Sequence, residues 1–176
     1  MKISFFTLSL IVLAGCSQDT SSVSDKDTVM TSDFDSLAGW VPDPSTLTKE
    51  QAHSGSCSLK VDKNHEFSLS YSAILGQLTE TRLRGIKMTA WVYMPNKEAT
   101  AKMGFILKDV VGGKDILSDG IELKDQVTEY SKWVQVSKDI NFPASASYSS
   151  QIVIFLWRAG ATGPAYIDDI QLTALR

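Results

Sequence analysis

The chain has 176 residues, 43% hydrophobic and 21% charged, with 17 Lys and Arg against 20 Asp and Glu for a formal net charge of −3. These proportions exclude a disordered chain and a polytopic membrane protein, and the slight acid excess excludes the basic stripe of a nucleic-acid binder. Two Cys and two His are too few for a disulfide scaffold and leave little room for histidine-based metal or proton-transfer chemistry.

Residues 1–15 read as an address. Lys2 gives a positive start, residues 5–14 form an apolar run, and Gly15 precedes Cys16. Such a run is that of a secretory signal and falls short of the ~20 apolar residues a membrane span needs. Leu13-Ala14-Gly15-Cys16 resembles a bacterial lipobox, which implies cleavage before Cys16 and its acylation; an ordinary secretory signal is the alternative. Two or more acyl chains anchor stably. Ser17 and Gln18 follow the Cys, and the absence of Asp there points to the outer membrane, on its periplasmic or surface face. Without residues 1–15 the chain holds 16 basic and 20 acidic residues, a net of −4. Residues 16–30 then comprise the acylated Cys and a polar stretch (SQDTSSVSDKDTVM) without aromatics, read as a flexible tether. Residues 31–176 form one domain, long enough for a real core.

Short alternating stretches follow, bounded by Gly, Pro, Asn and Ser. In Ser56-Cys57-Ser58-Leu59-Lys60-Val61 the period of two puts Cys57, Leu59 and Val61 on one face, so Cys57 reads as a small buried hydrophobe. Residues 67–75 are a second strand. Residues 86–94 alternate most clearly, with Ile86, Met88, Ala90, Val92 and Met94 facing one way and Lys87, Thr89, Trp91 and Tyr93 the other. Strands are expected at 102–108, 120–124, 133–140, 151–157 and 166–173. Residues 125–130 suit a single helical turn, and 110–115 a hairpin connection. Many short strands between turn residues indicate an all-β sandwich or barrel.

Several segments, in order, resemble the jelly-roll carbohydrate-binding modules of the galactose-binding-like superfamily, above all those that bind cellulose and xylan. Asp33-Phe34-Asp35 is similar to the family's opening Phe-Glu, and Trp40 to its early Trp. Residues 52–61 (AHSGSCSLKV) resemble its Ser-Gly turn and strand, Met88-Thr89-Ala90-Trp91-Val92-Tyr93 its Trp strand, Trp133-Val134-Gln135-Val136 a later strand, and Tyr166-Ile167-Asp168-Asp169-Ile170-Gln171-Leu172 its closing strand. The resemblance spans nearly all of residues 31–176 and implies a jelly-roll β-sandwich that holds a polysaccharide or oligosaccharide. It also implies a structural Ca²⁺ near the chain ends, held by Asp35 and Asp168 with carbonyls of the Gly55 turn; calcium takes six to eight oxygens. Asp35 stands where the family has the longer Glu. The alternative for Asp168 is a hydrogen-bonded residue capping the turn.

Trp91 and Tyr93 lie opposite the apolar set of their strand. Phe155 and Trp157 form, with Val153, a second such row, since Ile152, Ile154 and Leu156 supply the core face. Sugar rings stack their C–H faces on aromatics and need polar neighbours for their hydroxyls; Arg158, Gln151, Lys87 and Thr89 are candidates. The competing reading packs one row beneath a loop or covers both sheets on their outer sides. Trp40 and Trp133, at strand edges, read as rim packing, and His53 and His65 as turn residues. Catalysis finds little support. Asp168 and Asp169, adjacent on a strand, should point to opposite faces and so cannot form the close carboxyl pair of a retaining glycosidase. Tyr71 or Tyr148 as a lyase base has nothing behind it. The expectation is a non-catalytic glycan-binding module, lipid-anchored in the cell envelope, with a structural or protein-interaction module as the alternative.

Overall fold

The computed structural model describes residues 27–37 and 44–175; the signal, Cys16, most of the tether and Trp40 lie outside the described residues. Its strands are β1 (Thr28–Ser32), β2 (Leu47–Thr48), β3 (Ser58–Val61), β4 (Tyr71–Ile74), β5 (Gly85–Tyr93), β6 (Lys102–Asp109), β7 (Lys114–Glu122), β8 (Trp133–Asn141), β9 (Gln151–Trp157) and β10 (Ala165–Leu175), with two one-turn helices, α1 (Leu75–Leu78) and α2 (Leu123–Gln126). Side-chain alternation decides which way each strand faces. On β5, Ile86, Met88, Ala90 and Val92 are wholly buried and Lys87 is exposed. On β9, Ile152, Ile154 and Leu156 are buried while Val153, Phe155 and Trp157 keep partial access. Each buried Ile, Leu or Met contributes about 1.5–3 kcal/mol relative to an exposed one.

The strands form two antiparallel sheets. One runs β2-β3-β10-β5-β8, with β1 also paired to β10; the other runs β4-β9-β6-β7. Strand β10 is the axis of the larger sheet: its first residues pair with β3, its later ones with β1, and its other edge with β5. Between the sheets lies a single core, in which Met88 and Val92 meet Met103, Phe105, Leu107 and the inward row of β9. This is the sandwich that the alternation implies, and Cys57 is a buried free thiol within it.

Four boundaries differ from the expectation. Strand β1 begins at Thr28, inside the segment read as tether, because residues 28–32 supply the ladder partner of β10 from Thr173 to Ile170. Regular pairing in the 67–75 segment is confined to β4. Ahead of it the Ser68 hydroxyl, not a carbonyl, accepts from Leu156 N–H at 2.9 Å, and Leu75 already opens α1. Strand β7 begins at Lys114 rather than at Gly120, and the helical turn, α2, starts at Leu123 and overlaps the expected 125–130 only at its first two residues.

Candidate functional site

The two aromatic rows lie on opposite outer faces of the sandwich, so they are two surfaces, not one site. On the four-stranded sheet Phe155 pairs across the ladder with Gly104, and Trp157 with Lys102. Gly104 has no side chain to raise Phe155: a Cβ there would lie 2.6 Å from the ring's Cζ, so the ring lies down on bare backbone. Phe67, 54% exposed, joins the row through a bridge to Trp157. Its ring stands edge-on to Phe155 at 5.8 Å and nearly parallel to Trp157 at 6.1 Å. These three rings, with Gly104, Ser118, Lys102 and Asp119, border an open depression of about 200 Å³.

Trp157 is held at its indole nitrogen. Its indole Nε1–H donates to Glu66 Oε1 at 2.7 Å, and Arg158 Nε donates to Glu66 Oε2 at 2.8 Å, with Nη2 on the same oxygen. Arg158 Nη1 donates to the Ala161 carbonyl at 2.6 Å. Bonds from Arg158 and then Trp157 hold the Glu66 carboxyl below its ordinary value. Arg158, named above as a hydrogen-bonding partner for sugar, is therefore committed to Glu66 and Ala161 and acts by positioning the indole. At the far side of the depression Lys102 pairs with Glu122 at 3.1 Å and Lys138 with Asp119 at 2.5 Å. Asp119 loses solvent, which raises its carboxyl, but the bonds from Lys138 and the Gly120 N–H outweigh that and lower it.

The other row is partly covered by a neighbouring turn. The His53 ring stacks on Trp91 with centroids 4.0 Å apart and 13° between planes, and meets the edge of Trp133 at 5.7 Å. Tyr93 fills the space between Trp133 and Tyr166, at 5.7 and 5.8 Å. The Tyr166 hydroxyl donates to Glu50, and burial followed by that bond pushes its pKa up to about 12. Trp91 thus packs under His53, as in the second of the two readings weighed for such a row, while Tyr93 packs between Trp133 and Tyr166.

That loop is fastened by carboxylates. Asp168, fully buried, accepts from the His53 N–H at 2.7 Å and the Ser54 N–H at 3.2 Å through Oδ2, and from the Asp169 N–H at 2.8 Å through Oδ1. Burial pushes its carboxyl up, against the pull of those three bonds. Asp169 accepts from the Ser54 hydroxyl at 2.6 Å and faces His53 Nδ1 at 2.5 Å. The expectation that the two carboxyls point to opposite faces is corrected here. The register slips between Asp168 and Gln171, and Asp169 takes a φ of 45°. This bulge re-aims the side chain, and both acids reach the same two residues.

Asp35 accepts the Ser56 N–H on both oxygens, at 2.9 and 3.1 Å. The backbone of the Gly55 turn therefore meets Asp35 and Asp168 with N–H donors, where a calcium ion needs oxygen acceptors. Among the described residues no three His, Cys, Asp or Glu side chains gather closely enough to hold a metal. In this arrangement the two carboxylates fasten the turn. The site residues that alternation did not supply are Phe67, Gly104 and Glu66. Only Gly104 carried a local signal, as a glycine inside a strand, which marks close approach by another group.

No protein-family model matches the sequence, and no curated protein matches it. Solved structures do match by shape. The CBM22-1 xylan-binding domain of Paenibacillus barcinonensis Xyn10C is 17% identical with a TM-score of 0.52, covering 85% of this chain and 96% of that one. The C-terminal family 22 carbohydrate-binding module of Clostridium thermocellum Xyn10B is 15% identical with a TM-score of 0.53, covering 86% and 95%. The xylan-binding domain formerly called x6b is 15% identical with a TM-score of 0.53, covering 86% and 97%. The chain is thus similar along nearly its whole described length to xylan-binding modules, and what it shares with them is the fold: an all-β jelly-roll sandwich.

Proposed function

We propose that the protein is a non-catalytic module that binds a polysaccharide chain across the outer face of its four-stranded sheet. The observation that carries this is the row Phe67–Trp157–Phe155, in which Phe67 is exposed and the other two rings keep partial access, floored by Gly104 and fixed by Glu66 and Arg158. Ligand pockets usually enclose ~300–1,000 Å³. A depression of about 200 Å³ is a platform on which a polymer lies, not a pocket that engulfs a small molecule. The likeness to modules described as xylan-binding supports the same reading. Asp168 and Asp169, the acids nearest each other in the chain's closing motif, are spent on loop 53–56, which supports a binding role over a catalytic one. We further propose that acylated Cys16 anchors the module in a bacterial envelope, at the outer membrane.

The test is affinity electrophoresis of the full chain carrying Cys16→Ser through gels containing xylan, mixed-linkage glucan or hydroxyethylcellulose. Retardation by at least one polymer is expected. Trp157→Ala and Phe67→Ala should each weaken it by about two- to tenfold, the equivalent of one lost aromatic contact of ~0.5–1.5 kcal/mol. Unretarded migration in every polymer refutes glycan binding, and unchanged retardation in both variants refutes the platform. Membrane fractions should hold the wild-type chain and not Cys16→Ser; co-sedimentation of the variant in high salt removes the anchor.

A further inference from the structure

We infer that one end of the sandwich is a second, separate sugar site that takes a single ring at a chain end or branch. The site lies between α1 with the residues after it and the connection from β8 to β9. Two backbone bonds clasp these segments, Leu75 N–H to the Ser150 carbonyl and Gly76 N–H to the Tyr148 carbonyl, each at 2.8 Å. Between them opens a cavity of about 410 Å³, within the ordinary range of ligand pockets and about twice the platform's depression.

Tyr148 is the unusual side chain. It is 65% exposed, yet its place is specific. A Cβ on Gly76 would lie 2.0 Å from the ring's Cε1, so the ring rests against a position that only glycine leaves free. One face of the phenol is backed by the chain and the other is open. The cavity floor is apolar, with Leu75, Leu83 and Ala146 buried. Its rim carries the hydroxyls of Thr79, Thr81 and Ser147, the Glu80 carboxylate and the Arg82 guanidinium. Arg82 uses one donor on the Ala144 carbonyl at 3.3 Å. Among the described residues neither Arg82 nor Glu80 joins an ion pair, whereas the charges around the platform do. Planar groups with spare hydrogen-bonding capacity, beside an aromatic face and an apolar floor, match a ring that is apolar on one side and hydroxylated at its edge. A larger recess suits a terminal or branching residue, and the shallow platform suits the run of a chain. The choice of a sugar as ligand rests on the polysaccharide reading; the geometry does not.

The experiment titrates methyl xyloside, arabinose, glucose and galactose into the ¹⁵N-labelled full chain carrying Cys16→Ser and follows the amides of Gly76, Thr81 and Ser147. At least one sugar should shift them saturably. Tyr148→Ala and Arg82→Gln should each weaken that binding about fivefold or more, with unchanged melting because both side chains are exposed. Trp157→Ala should leave it as it was. Silence of these amides with all four sugars overturns the proposal, as does binding that survives in both pocket variants. Shifts here in a protein that no polysaccharide retards would uphold this site and refute the platform.

Discussion

Gly104 and Gly120 face each other across β6 and β7, and alanine at the two positions should fail in different ways. At Gly104 the added Cβ first meets the Phe155 ring, at 2.6–3.1 Å, the movable end of a side chain. Alanine is favoured over glycine in a strand by about 0.5–1 kcal/mol. Pushing a ring off its rotamer costs about 0.5–1.5 kcal/mol. The two nearly cancel, so Gly104→Ala should melt within about 4 °C of wild type. The displaced ring, however, no longer lies on the platform floor, and polysaccharide affinity should fall about three- to tenfold. At Gly120 the φ is +148° and a Cβ would sit 2.3 Å from the Met103 carbonyl oxygen. Neither can yield cheaply, and Gly120→Ala should lose roughly 1–3 kcal/mol or more as a clear drop in melting temperature. Differential scanning fluorimetry and affinity electrophoresis on the same samples separate the effects. Full affinity in a Gly104→Ala protein whose Phe155 has moved would refute the role given to that floor.

Asp168→Ala strands three N–H donors beneath loop 53–56 and, at about 1–3 kcal/mol for each unsatisfied group, should lower the melting temperature steeply. EDTA should leave wild-type melting unchanged, and a fall of several degrees with EDTA, reversed by added calcium, would show that the turn binds the ion after all. Burial opposes ionisation of Asp62, but bonds from the Asn64 N–H, His65 and Lys60 outweigh it and hold the carboxyl at about 2, against an ordinary 3.8. The resulting stability, on the order of 2 kcal/mol, is present above pH ~4 and lost as pH falls towards 2; Asp62→Asn should flatten that acid limb in urea titrations. Trp133→Ala removes edge contacts to His53 and Tyr93 and should cost about 1–2 kcal/mol of stability with polysaccharide affinity unchanged per folded molecule.

The faces of β5 and β9 were legible because a strand's inside and outside follow from alternation alone. Whether an outward aromatic is open or covered was not, since that depends on a partner far along the chain: His53 reaches Trp91, and Phe67 reaches Trp157. Position 169 shows a second limit. Its alternation is regular in sequence, but Ser54 and His53 draw the Asp169 side chain to their side, and a bulge supplies the turn. Strand β1 shows a third. Residues 28–30 (Thr-Val-Met) are too short a stretch to show alternation at the end of a polar run, and their strand conformation comes from the free edge of β10. Arg158 was chosen for its charge and its place beside Trp157, but Glu66 claims that charge from the segment ahead of β4.

The pairing of β1 with β10 also fixes how tension travels through the molecule. Thr28 lies opposite Thr173, so a pull applied at the N-terminal side enters the six-stranded sheet at its first strand and loads the ladder along β10. The aromatic platform belongs to the other sheet. If the proposed anchor and platform hold, any force between them crosses the packed interior, and β9 and β6 are not the strands first drawn out of register.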